Sequence, residues 1–567
     1  MFIMRRIFTF IVALCFMSSL CLTVLADGGT YYLDQGSISI GFQNDVQHVT
    51  QNDVSTPDSN PTITSNGTTS NTITVSSGEG QTAQFTVENL NIDTDRGNSA
   101  IDITKDSTAV ITVQGENNAV DNTHSGSGEH KATIHVGDGA SLTIQGSDTP
   151  PKDEDNQLRV NRNNAQYSMD GSAGIGSNKQ DNFTGSITIT GDVYVEAGAP
   201  NHAAAIGAGY NGHFSDSATV EIKDGANVHV EAGDKGTGIG AGNNGDFNGS
   251  VNITDSTVYA DTYSNGAGIG AGMNGDFSGK VNIEDSDVTA ISGHSGKGEG
   301  AGIGAGFNGN FSGKVNITDS VVYAKATNDG AGIGAGGTDN GSKSATEFTA
   351  QGQVNIHNSK VTADTRSQGI PIGAPESLKD NGKFDGIFNG TINITGNSEV
   401  TLIDGRNTAL GEQVLIGGAD ANSSGNVSIE DSAKITYWAG DCPDKGEIDN
   451  GSFGTATQEQ LNQIIQGAEI EVVVVPKTAA AYEVPVYRFW DDVEAMIKTA
   501  EKGDTITIDV KDRTSIPVRI LELVAEYEVT LVIQWNGGED IMVAPDHGIE
   551  VDADTILLTK LISLLKK

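Results

Sequence analysis

The sequence predicts an all-β fold, a right-handed three-sided parallel β-helix, followed by a small C-terminal α/β module. The main observation is an internal repeat of a length that is typical of stacked architectures. A Gly-Ile-Gly string recurs through the middle of the chain, with its isoleucine at Ile175, Ile206, Ile239, Ile269, Ile303 and Ile333. Short apolar pieces of period two lie between the strings, separated by Gly, Asn, Asp and Ser, which indicates strands joined by turns.

The repeat length fits one coil of a three-sided solenoid with one longer corner. Successive isoleucines are 31, 33, 30, 34 and 30 residues apart, and weaker copies follow at Ile372 and Ile416 after gaps of 39 and 44. Polar, loop-like insertions at residues 337–348 and 376–384 account for the longer gaps. We expect equivalent residues to stack at about 4.8 Å, in the hand that parallel crossovers favour. A β-propeller is the alternative, although its blades need about 40–45 residues and four strands.

The N-terminus indicates export. Arg5 and Arg6 precede an apolar stretch that ends in small residues at Ala26, so residues 1–26 are predicted to be a secretory signal peptide. An uncleaved anchor helix is the alternative, because the apolar stretch approaches the ~20 residues that a membrane helix needs. The expected location is extracellular, free or associated with the cell surface, with no transmembrane segment in the mature chain.

The rest of the chain divides into four parts. Irregular coils with a polar insertion at residues 149–169 come first, the regular repeats follow, and a linker or cap separates these from the α/β module. The predicted boundaries are residues 27–170, 171–440, 441–483 and 484–567. Helices are expected at residues 458–466 and 489–500 and after a capping Ser515, and strands at residues 469–475, 505–510 and 529–535.

Charge and cysteine content narrow the classes of function. Asp and Glu number 74 against 33 Lys and Arg, which gives a formal net charge of −41. This argues against a nucleic-acid partner, which needs a basic surface, and it favours cations such as Ca²⁺. Cys15 and Cys21 fall in the signal peptide, so Cys442 has no internal partner for a disulfide. Whether Cys442 pairs with a second copy stays open.

Two further columns of repeated residues are expected on the coils. A phenylalanine lies eight residues after each of five isoleucines, which predicts an interior aromatic stack of Phe183, Phe214, Phe247, Phe277 and Phe311. An asparagine column on the outer face of the second strand can bond amide to amide or serve as a polar sugar-binding strip. Its members are Asn252, Asn282, Asn316, Asn355 and Asn393.

The outer column of the third strand is the candidate binding face. Its members are Tyr194, His229, Tyr259, Thr289, Tyr323, Thr362 and Thr401. Exposed rings on a rigid lattice suit stacking against sugars, and the tyrosine hydroxyl adds a polar handle. The alternative is structural, because Tyr and Thr stabilise one another across strands. The predicted carbohydrate-binding residues are Tyr194, His229, Tyr259 and Tyr323.

Stacked carboxylates suggest a calcium site. Like charges about 5 Å apart repel by about 1 kcal/mol in water, and Ca²⁺ between coils would relieve that repulsion. The alternative is a turn aspartate that caps local backbone donors. The candidate ligands are Asp246 and Asp276 in the long corner and Asp255, Asp285 and Asp319 after the second strand.

Catalysis has less support. Enzymes of this fold that cut polysaccharides need one coil that breaks the pattern with clustered Asp, Arg or Lys, whereas the repeated coils are monotonous. The best outlier is Arg366 with Asp364, close to the irregular Ile370-Pro371-Ile372 segment. We assign no catalytic residue.

The strings GIGAG at residues 268–272 and KVNIEDS at residues 280–286 recur over residues 173–437. In these strings the chain resembles secreted β-helix proteins of Gram-positive anaerobes, including a clostridial carbohydrate-binding β-helix family related in shape to pectate lyases. The resemblance implies glycan binding, Ca²⁺ and no strong catalysis.

The expected function is that of a secreted, non-enzymatic β-helix protein that binds a polysaccharide or cell-surface glycan, with Ca²⁺ as a candidate cofactor. Two alternatives stay open. One is a polysaccharide lyase or glycoside hydrolase on a β-helix. The other is an adhesin stalk or structural surface protein whose recognition lies elsewhere in the chain.

Overall fold

The computed structural model describes most of the repeat region and parts of the C-terminal module. The described residues are 28–94, 98–115, 118–121, 131–147, 156–160, 171–199, 202–293, 298–338, 349–365, 369–374, 376–379, 382–404, 415–418, 423–429, 433–439, 452–453, 493, 496–510, 515–534, 540–549 and 555–565.

Each regular coil contributes one strand to each of three long sheets. We call the sheets A, B and C, in the order in which the chain passes through them within one regular coil. Sheet A contains Ile38–Gln43, Val46–Gln51, Val54–Pro57, Ile73–Ser76, Ile101–Ile103, Ile134–Val136, Ile175–Gly176, Ile206–Gly207, Ile239–Gly240, Ile269–Gly270, Ile303–Gly304, Ile333–Gly334, Ile372–Gly373 and Ile416–Gly417. Sheet B contains Thr30–Tyr32, Thr62–Thr64, Thr82–Glu88, Thr108–Gln114, Ser141–Gly146, Ser186–Thr190, Thr219–Lys223, Ser250–Thr254, Lys280–Glu284, Lys314–Thr318, Gln353–His357, Thr391–Thr395 and Asn426–Ile429. Sheet C contains Asn91–Asp93, Asn118–Asp121, Gln157–Val160, Tyr194–Ala199, Asn227–Ala232, Thr257–Thr262, Asp287–Ser292, Val321–Ala326, Lys360–Thr365, Glu399–Asp404, Lys434–Ala439 and Ser452–Phe453.

The register confirms the three-sided parallel solenoid and rules out the propeller. Ile239 pairs in parallel with Ile269, and Ile269 pairs with Ile303, so the repeated isoleucines lie directly over one another. On sheet B, Val281 and Ile283 pair with the equivalent residues of the next coil. These side chains are buried because strand alternation points every second residue into one continuous apolar core.

The glycines of the Gly-Ile-Gly string allow a close approach between coils. Gly270 has a φ of +141°, a backbone conformation that residues with a side chain rarely adopt. A Cβ added there would collide with the carbonyl oxygen of Gly304 in the next coil. This edge of the solenoid therefore requires glycine for two separate reasons.

The interior phenylalanine stack is confirmed. All five rings are fully buried, and neighbouring ring centroids lie 4.8–5.3 Å apart. The rings of Phe214, Phe247, Phe277 and Phe311 stack with interplanar angles of 5–18°, and Phe183 is tilted by 42° against Phe214. A fixed place in the repeat thus becomes a continuous aromatic column at the long corner.

The irregular coils before the array belong to the same solenoid, as predicted. At the N-terminal end, Ile38–Gln43 pairs with Val46–Gln51, and that strand pairs with Val54–Pro57, both antiparallel. A 3-10 turn at Leu33–Gln35 precedes this meander. The sequence did not indicate this meander. It pairs with the edge of Ile38–Gln43 that faces away from the following coils.

Two predicted insertions need correction. The polar insertion at residues 149–169 contains a strand, Gln157–Val160, which pairs with Tyr194–Ala199. Its buried residues Leu158 and Val160 are only two apolar side chains in a polar context, too few to give a clear period. The loop expected at residues 376–384 is instead an antiparallel hairpin of Glu376–Lys379 and Gly382–Asp385. A short parallel pair, Thr349–Ala350 and Ile387–Phe388, follows the predicted insertions at residues 337–348 and 376–384 in sequence.

The C-terminal α/β module has its own apolar core. Thr505–Asp509 pairs in parallel with Thr530–Gln534, which pairs antiparallel with Ile541–Val543, so both predicted strands are confirmed. The helices are Val518–Glu526 and Leu558–Leu565, and residues 496–499 are helical where a helix was expected.

Ser515 does not lie at the N-cap position of the following helix, contrary to the prediction. Ser515–Pro517 is a strand that pairs antiparallel with Thr555–Leu557, and the helix begins at Val518. Proline disfavours helical backbone in the residue before it, so the chain stays extended up to Pro517. The helix and strand expected at residues 458–466 and 469–475 lie outside the described residues. Among the described helices, none has the length and apolar character needed to cross a membrane.

Candidate binding face on sheet C

The candidate face is built from two neighbouring outer columns of sheet C. The first, which we call the tyrosine column, follows the register Glu196, His229, Tyr259, Thr289, Tyr323, Thr362 and Thr401. The second, the carboxylate column, lies two residues further along each strand and holds Glu231, Asp261, Ile291, Lys325, Asp364 and Ile403. Period two places both columns on the same side of the sheet.

Tyr194 does not belong to the tyrosine column. It pairs with Asn227, and Glu196 takes the place opposite His229. The alternation of Val193, Val195 and Ala197 fits either position, because a shift of two residues leaves the same side chains pointing inward. Only the backbone register distinguishes the two alignments.

The face is less exposed than the sequence suggests. Thr289, Tyr323 and Thr362 are buried, with 5–7% of each residue exposed, whereas His229 and Tyr259 are half-buried. The prediction of a continuous exposed stripe is therefore wrong at Thr289, Tyr323 and Thr362. The aromatic members that remain accessible are His229 and Tyr259, and Glu196 and Thr401 at the two ends of the column are also half-buried.

The rings of His229 and Tyr259 stack on each other. Their centroids lie 4.6 Å apart and their planes differ by 26°. Each ring therefore covers one face of the other, and that face is not available for stacking against a sugar. The stack is a stabilising cross-strand pair whose outer edges and remaining surface are partly accessible.

Aspartates of the carboxylate column accept hydrogen bonds from the hydroxyl groups of the tyrosine column. Tyr259 donates its hydroxyl to Asp261 Oδ2 at 3.2 Å, and Tyr323 donates to Asp364 Oδ2 in the next coil at 2.6 Å. Burial, followed by the charge and hydrogen bond of Asp261, raises the pKa of Tyr259 above its usual value. The hydroxyl of Tyr259 therefore stays protonated at neutral pH and acts as a donor.

His229 is paired within its own strand. Its Nε2 lies 3.2 Å from Glu231 Oε1. That hydrogen bond is the largest influence on the histidine and raises its pKa, with a further contribution from the charges of Glu196 and Asp261, while burial opposes the rise. The accessible part of the face thus combines a histidine whose pKa is raised with neighbouring carboxylates.

The asparagine ladder on sheet B forms as predicted. The amide nitrogen of each asparagine donates to the amide oxygen of the asparagine one coil earlier, from Asn393 back to Asn252. The four distances are 2.6–2.8 Å. Much of the hydrogen-bonding capacity of this strip is therefore used along the solenoid axis.

The corner carboxylates of the calcium prediction accept backbone N–H groups. Asp246 Oδ1 accepts from the N–H of Asp276 at 2.9 Å, and Asp276 Oδ1 accepts from the N–H of Asn310 at 2.7 Å. The N–H of Asp246 in turn points to His213 Nδ1 at 3.0 Å. Donation from the next coil stabilises each negative charge. The aspartates therefore cap backbone donors, as in the alternative interpretation, but these donors belong to the next coil and not to the local turn.

The other three predicted ligands, Asp255, Asp285 and Asp319, occupy a turn with positive φ. Their φ angles are 46–47°, and aspartate is one of the few residues that tolerate this conformation. A serine ladder follows directly, in which Ser286 N donates to Ser320 Oγ at 3.1 Å. Within the described part of the chain, no three His, Cys, Asp or Glu side chains converge as a metal site would require.

Two polar arrangements escaped the sequence analysis. A second asparagine ladder runs along the long corner through Asn211, Asn244, Asn274 and Asn308. In the earlier coils, His135 Nδ1 lies 2.7 Å from Asp102 Oδ1, and Asn178 Nδ2 lies 3.0 Å from His135 Nε2. The recurring Asn-Gly pair signals the first, while the second joins residues from irregular coils that share no repeat.

Of the catalytic outlier that the sequence suggested, Asp364 lies within the described residues. Asp364 is fully buried and bonded to Tyr323, while Arg366, like Cys442, lies outside the described residues. The fold and its ladders define a parallel β-helix in which repeated side chains bond to their own equivalents. Comparisons of the chain with protein-family models, with curated proteins and with solved structures find no match.

Proposed function

We propose that this chain is a secreted, non-enzymatic β-helix that acts as a rigid spacer at a cell surface, in the manner of an adhesin stalk. The observation that supports this most is that its repeated polar side chains bond chiefly to one another along the axis. Asn282, for example, accepts from Asn316 at 2.6 Å and donates to Asn252 at 2.7 Å. Such ladders stiffen a solenoid, because each coil is tied to its neighbours by side chains as well as by backbone.

The reach of the spacer follows from the register. Eleven parallel steps join Ile38 to Ile416 in sheet A. At about 4.8 Å a step they span roughly 50 Å. A chain with a net charge of −41 would also stay soluble and resist self-association.

Removal of one complete coil tests the spacer. Deletion of residues 269–302 leaves Ile239 followed by the equivalent Ile303, so the solenoid can close one coil shorter. We expect retention of the full chain on cells or cell-wall material to be unchanged, with a length by small-angle scattering shorter by about 5 Å. Loss of retention in a folded deletion variant would contradict a spacer role and place recognition on the coils.

Carbohydrate binding is the second candidate, and the half-exposed stack of His229 and Tyr259 favours it. An aromatic pair with polar edges, flanked by carboxylates, can contact the hydroxyl groups of a glycan. Binding to insoluble polysaccharides should fall when Tyr259 or His229 becomes Ala and should persist in Tyr263→Ala, an exposed tyrosine outside the column. Equal binding by all three variants would remove the stack from consideration. Release of reducing ends by any of them would instead favour the hydrolase alternative.

Calcium remains the candidate cofactor of this proposal. Asp246 and Asp276 are hydrogen-bonded neighbours one coil apart, so a cation beside them would meet two carboxylates. We expect Ca²⁺ to raise the unfolding temperature relative to a chelator, and Asp276→Asn to abolish the rise. The asparagine oxygen can still accept from Asn310, which separates ion binding from the backbone contact. An identical unfolding temperature with and without Ca²⁺ would exclude a structural calcium.

A further inference from the structure

The asparagine ladder of the long corner consists of four Asn-Gly pairs, each in the same backbone conformation. Asparagine φ angles are 60–63° in all four. The amide nitrogen of each asparagine donates to the oxygen of the one before it, at 2.8, 2.9 and 3.1 Å along the column. The pairs are Asn211-Gly212, Asn244-Gly245, Asn274-Gly275 and Asn308-Gly309.

Asn-Gly is the dipeptide most prone to spontaneous deamidation, because glycine has no side chain to shield its backbone nitrogen. In this reaction the glycine nitrogen loses its proton and attacks the asparagine Cγ. A C–N bond forms, the Cγ–Nδ2 bond breaks, and ammonia leaves with the proton. Water then opens the resulting succinimide to aspartate or isoaspartate. An unstructured chain with four such pairs would lose its amides at every one of them.

In the fold, hydrogen bonds engage both reacting groups, the glycine N–H and the asparagine side-chain amide. Each of the four glycine N–H groups donates to the carbonyl oxygen of the glycine three residues earlier, at 2.9 Å. The departing nitrogen is also engaged at Asn244, Asn274 and Asn308, since it donates to the neighbouring amide oxygen. Attack requires the glycine N–H and the asparagine side chain to leave these bonds together.

The ladder has a direction, and the direction makes its four members unequal. Donation runs from Asn308 through Asn274 and Asn244 to Asn211, whose Oδ1 is the final acceptor. A carboxylate in place of Asn211 would still accept from Asn244, through a stronger charge-assisted bond. A carboxylate in place of Asn274 would instead face the Oδ1 of Asn244, two acceptors with no proton between them.

We propose that the corner ladder protects three of its four Asn-Gly pairs from deamidation and leaves Asn211 as the modification site of the ladder, where a folded chain can carry a carboxylate without breaking the column. The amides of Asn244, Asn274 and Asn308 are retained for the lifetime of the folded protein. Asn211 combines an amide nitrogen that donates to no other member of the ladder with tolerance of the aspartate product.

Peptide mapping by mass spectrometry tests this with the full chain incubated at mildly alkaline pH, once folded and once in urea. In urea all four pairs should deamidate at similar rates. In the folded chain Asn211 should be modified first. Deamidation of Asn244, Asn274 and Asn308 should be slower than that of Asn211 by about tenfold or more, because one additional hydrogen bond must break at each of them. Equal rates in the two states, or Asn274 ahead of Asn211, would overturn the proposal.

A pair of variants tests the direction of the ladder independently of reaction rates. Asn211→Asp and Asn274→Asp make the same chemical change at the same φ, which aspartate tolerates. At neutral pH we expect Asn211→Asp to keep the unfolding midpoint of the parent chain and Asn274→Asp to lower it. Titration to a pH that protonates the new carboxyl should recover part of the loss at residue 274. Equal effects of the two substitutions would contradict a directional column.

Discussion

The rings of Phe247 and Phe277 lie face to face although 30 residues separate them in sequence, with centroids 5.0 Å apart and planes 5° from parallel. The contact exists because Phe247 and Phe277 are backbone partners in successive coils. Its spacing is close to the separation of parallel strands, so the backbone pairing sets the distance between the rings. The repeat thus stabilises the solenoid through contacts between equivalent residues of successive coils.

Removal of a central ring should be costly. Phe277 is fully buried and touches rings on both sides, so Phe277→Ala should destabilise the solenoid by about 3–5 kcal/mol. The denaturant midpoint measures the change. Tyr263→Ala, at an aromatic that is 42% exposed, is the matched control and should shift the midpoint little. Similar effects of the two substitutions would show that the stack does not stabilise the fold.

Glycine at the tight edge should tolerate no side chain. Gly270→Ala forces a Cβ against the carbonyl of Gly304 at a φ of +141°, so we expect loss of folding yield and increased proteolysis in the regular coils. Gly67→Ala is the control, because a Cβ there meets no atom within 4 Å. A Gly270→Ala protein with parent-like protease resistance would contradict the close approach of the coils.

The fold could be predicted from sequence because each coil repeats the same residues under the same constraint. The period-two pieces identified the strands, and the fixed interval from isoleucine to phenylalanine identified the stack of Phe183 through Phe311. The strand Gln157–Val160 was missed, since two apolar residues carry too little periodicity. The C-terminal helix start at Val518 was missed because pairing of Ser515–Pro517 with a distant strand decided it.

The binding face could be predicted only in outline. Alternation shows which side chains share a face, but it cannot distinguish registers that differ by two residues, which is why Tyr194 was misplaced. Burial of Tyr323 and its bond to Asp364 depend on tertiary contacts that a repeat does not encode. The corner ladder could have been recognised, because Asn-Gly recurs at one place in four coils.

The two tyrosine hydroxyls of the column should differ in importance. Tyr323→Phe removes a 2.6 Å donor from the fully buried Asp364 and should cost about 1–3 kcal/mol. Tyr259→Phe removes a longer bond from a half-buried ring and should cost less. Chemical denaturation of the two variants makes the comparison. A larger loss for Tyr259→Phe would mean that burial of Asp364 does not depend on its tyrosine.

The charge of His229 should depend on Glu231. The hydrogen bond to Glu231 raises the pKa of His229 in the folded chain, so protonation is favoured by folding. The stabilisation is then fully present below about pH 6.5, the ordinary histidine value, and is lost as pH rises through the folded pKa.

Titration of the imidazole by NMR tests this prediction. Glu231→Gln should lower the pKa of His229, whereas Glu284→Gln, at an exposed position on sheet B, should leave it unchanged. A pKa of His229 that is the same in the parent and in Glu231→Gln would show that the pair does not form in solution.

The stacking of equivalent residues in successive coils underlies every surface and ladder described above, and a pair of engineered cysteines tests it directly. In a chain that begins at residue 27 and carries Cys442→Ser, Ser250→Cys with Lys280→Cys joins register partners about 4.8 Å apart, within the Cα separation of a disulfide. Ser250→Cys with Lys314→Cys lies two coils apart, at about 10 Å, and is the control. Mild oxidation should close the first disulfide and leave the second open. Equal closure of both, or closure of the second alone, would contradict the parallel one-coil register.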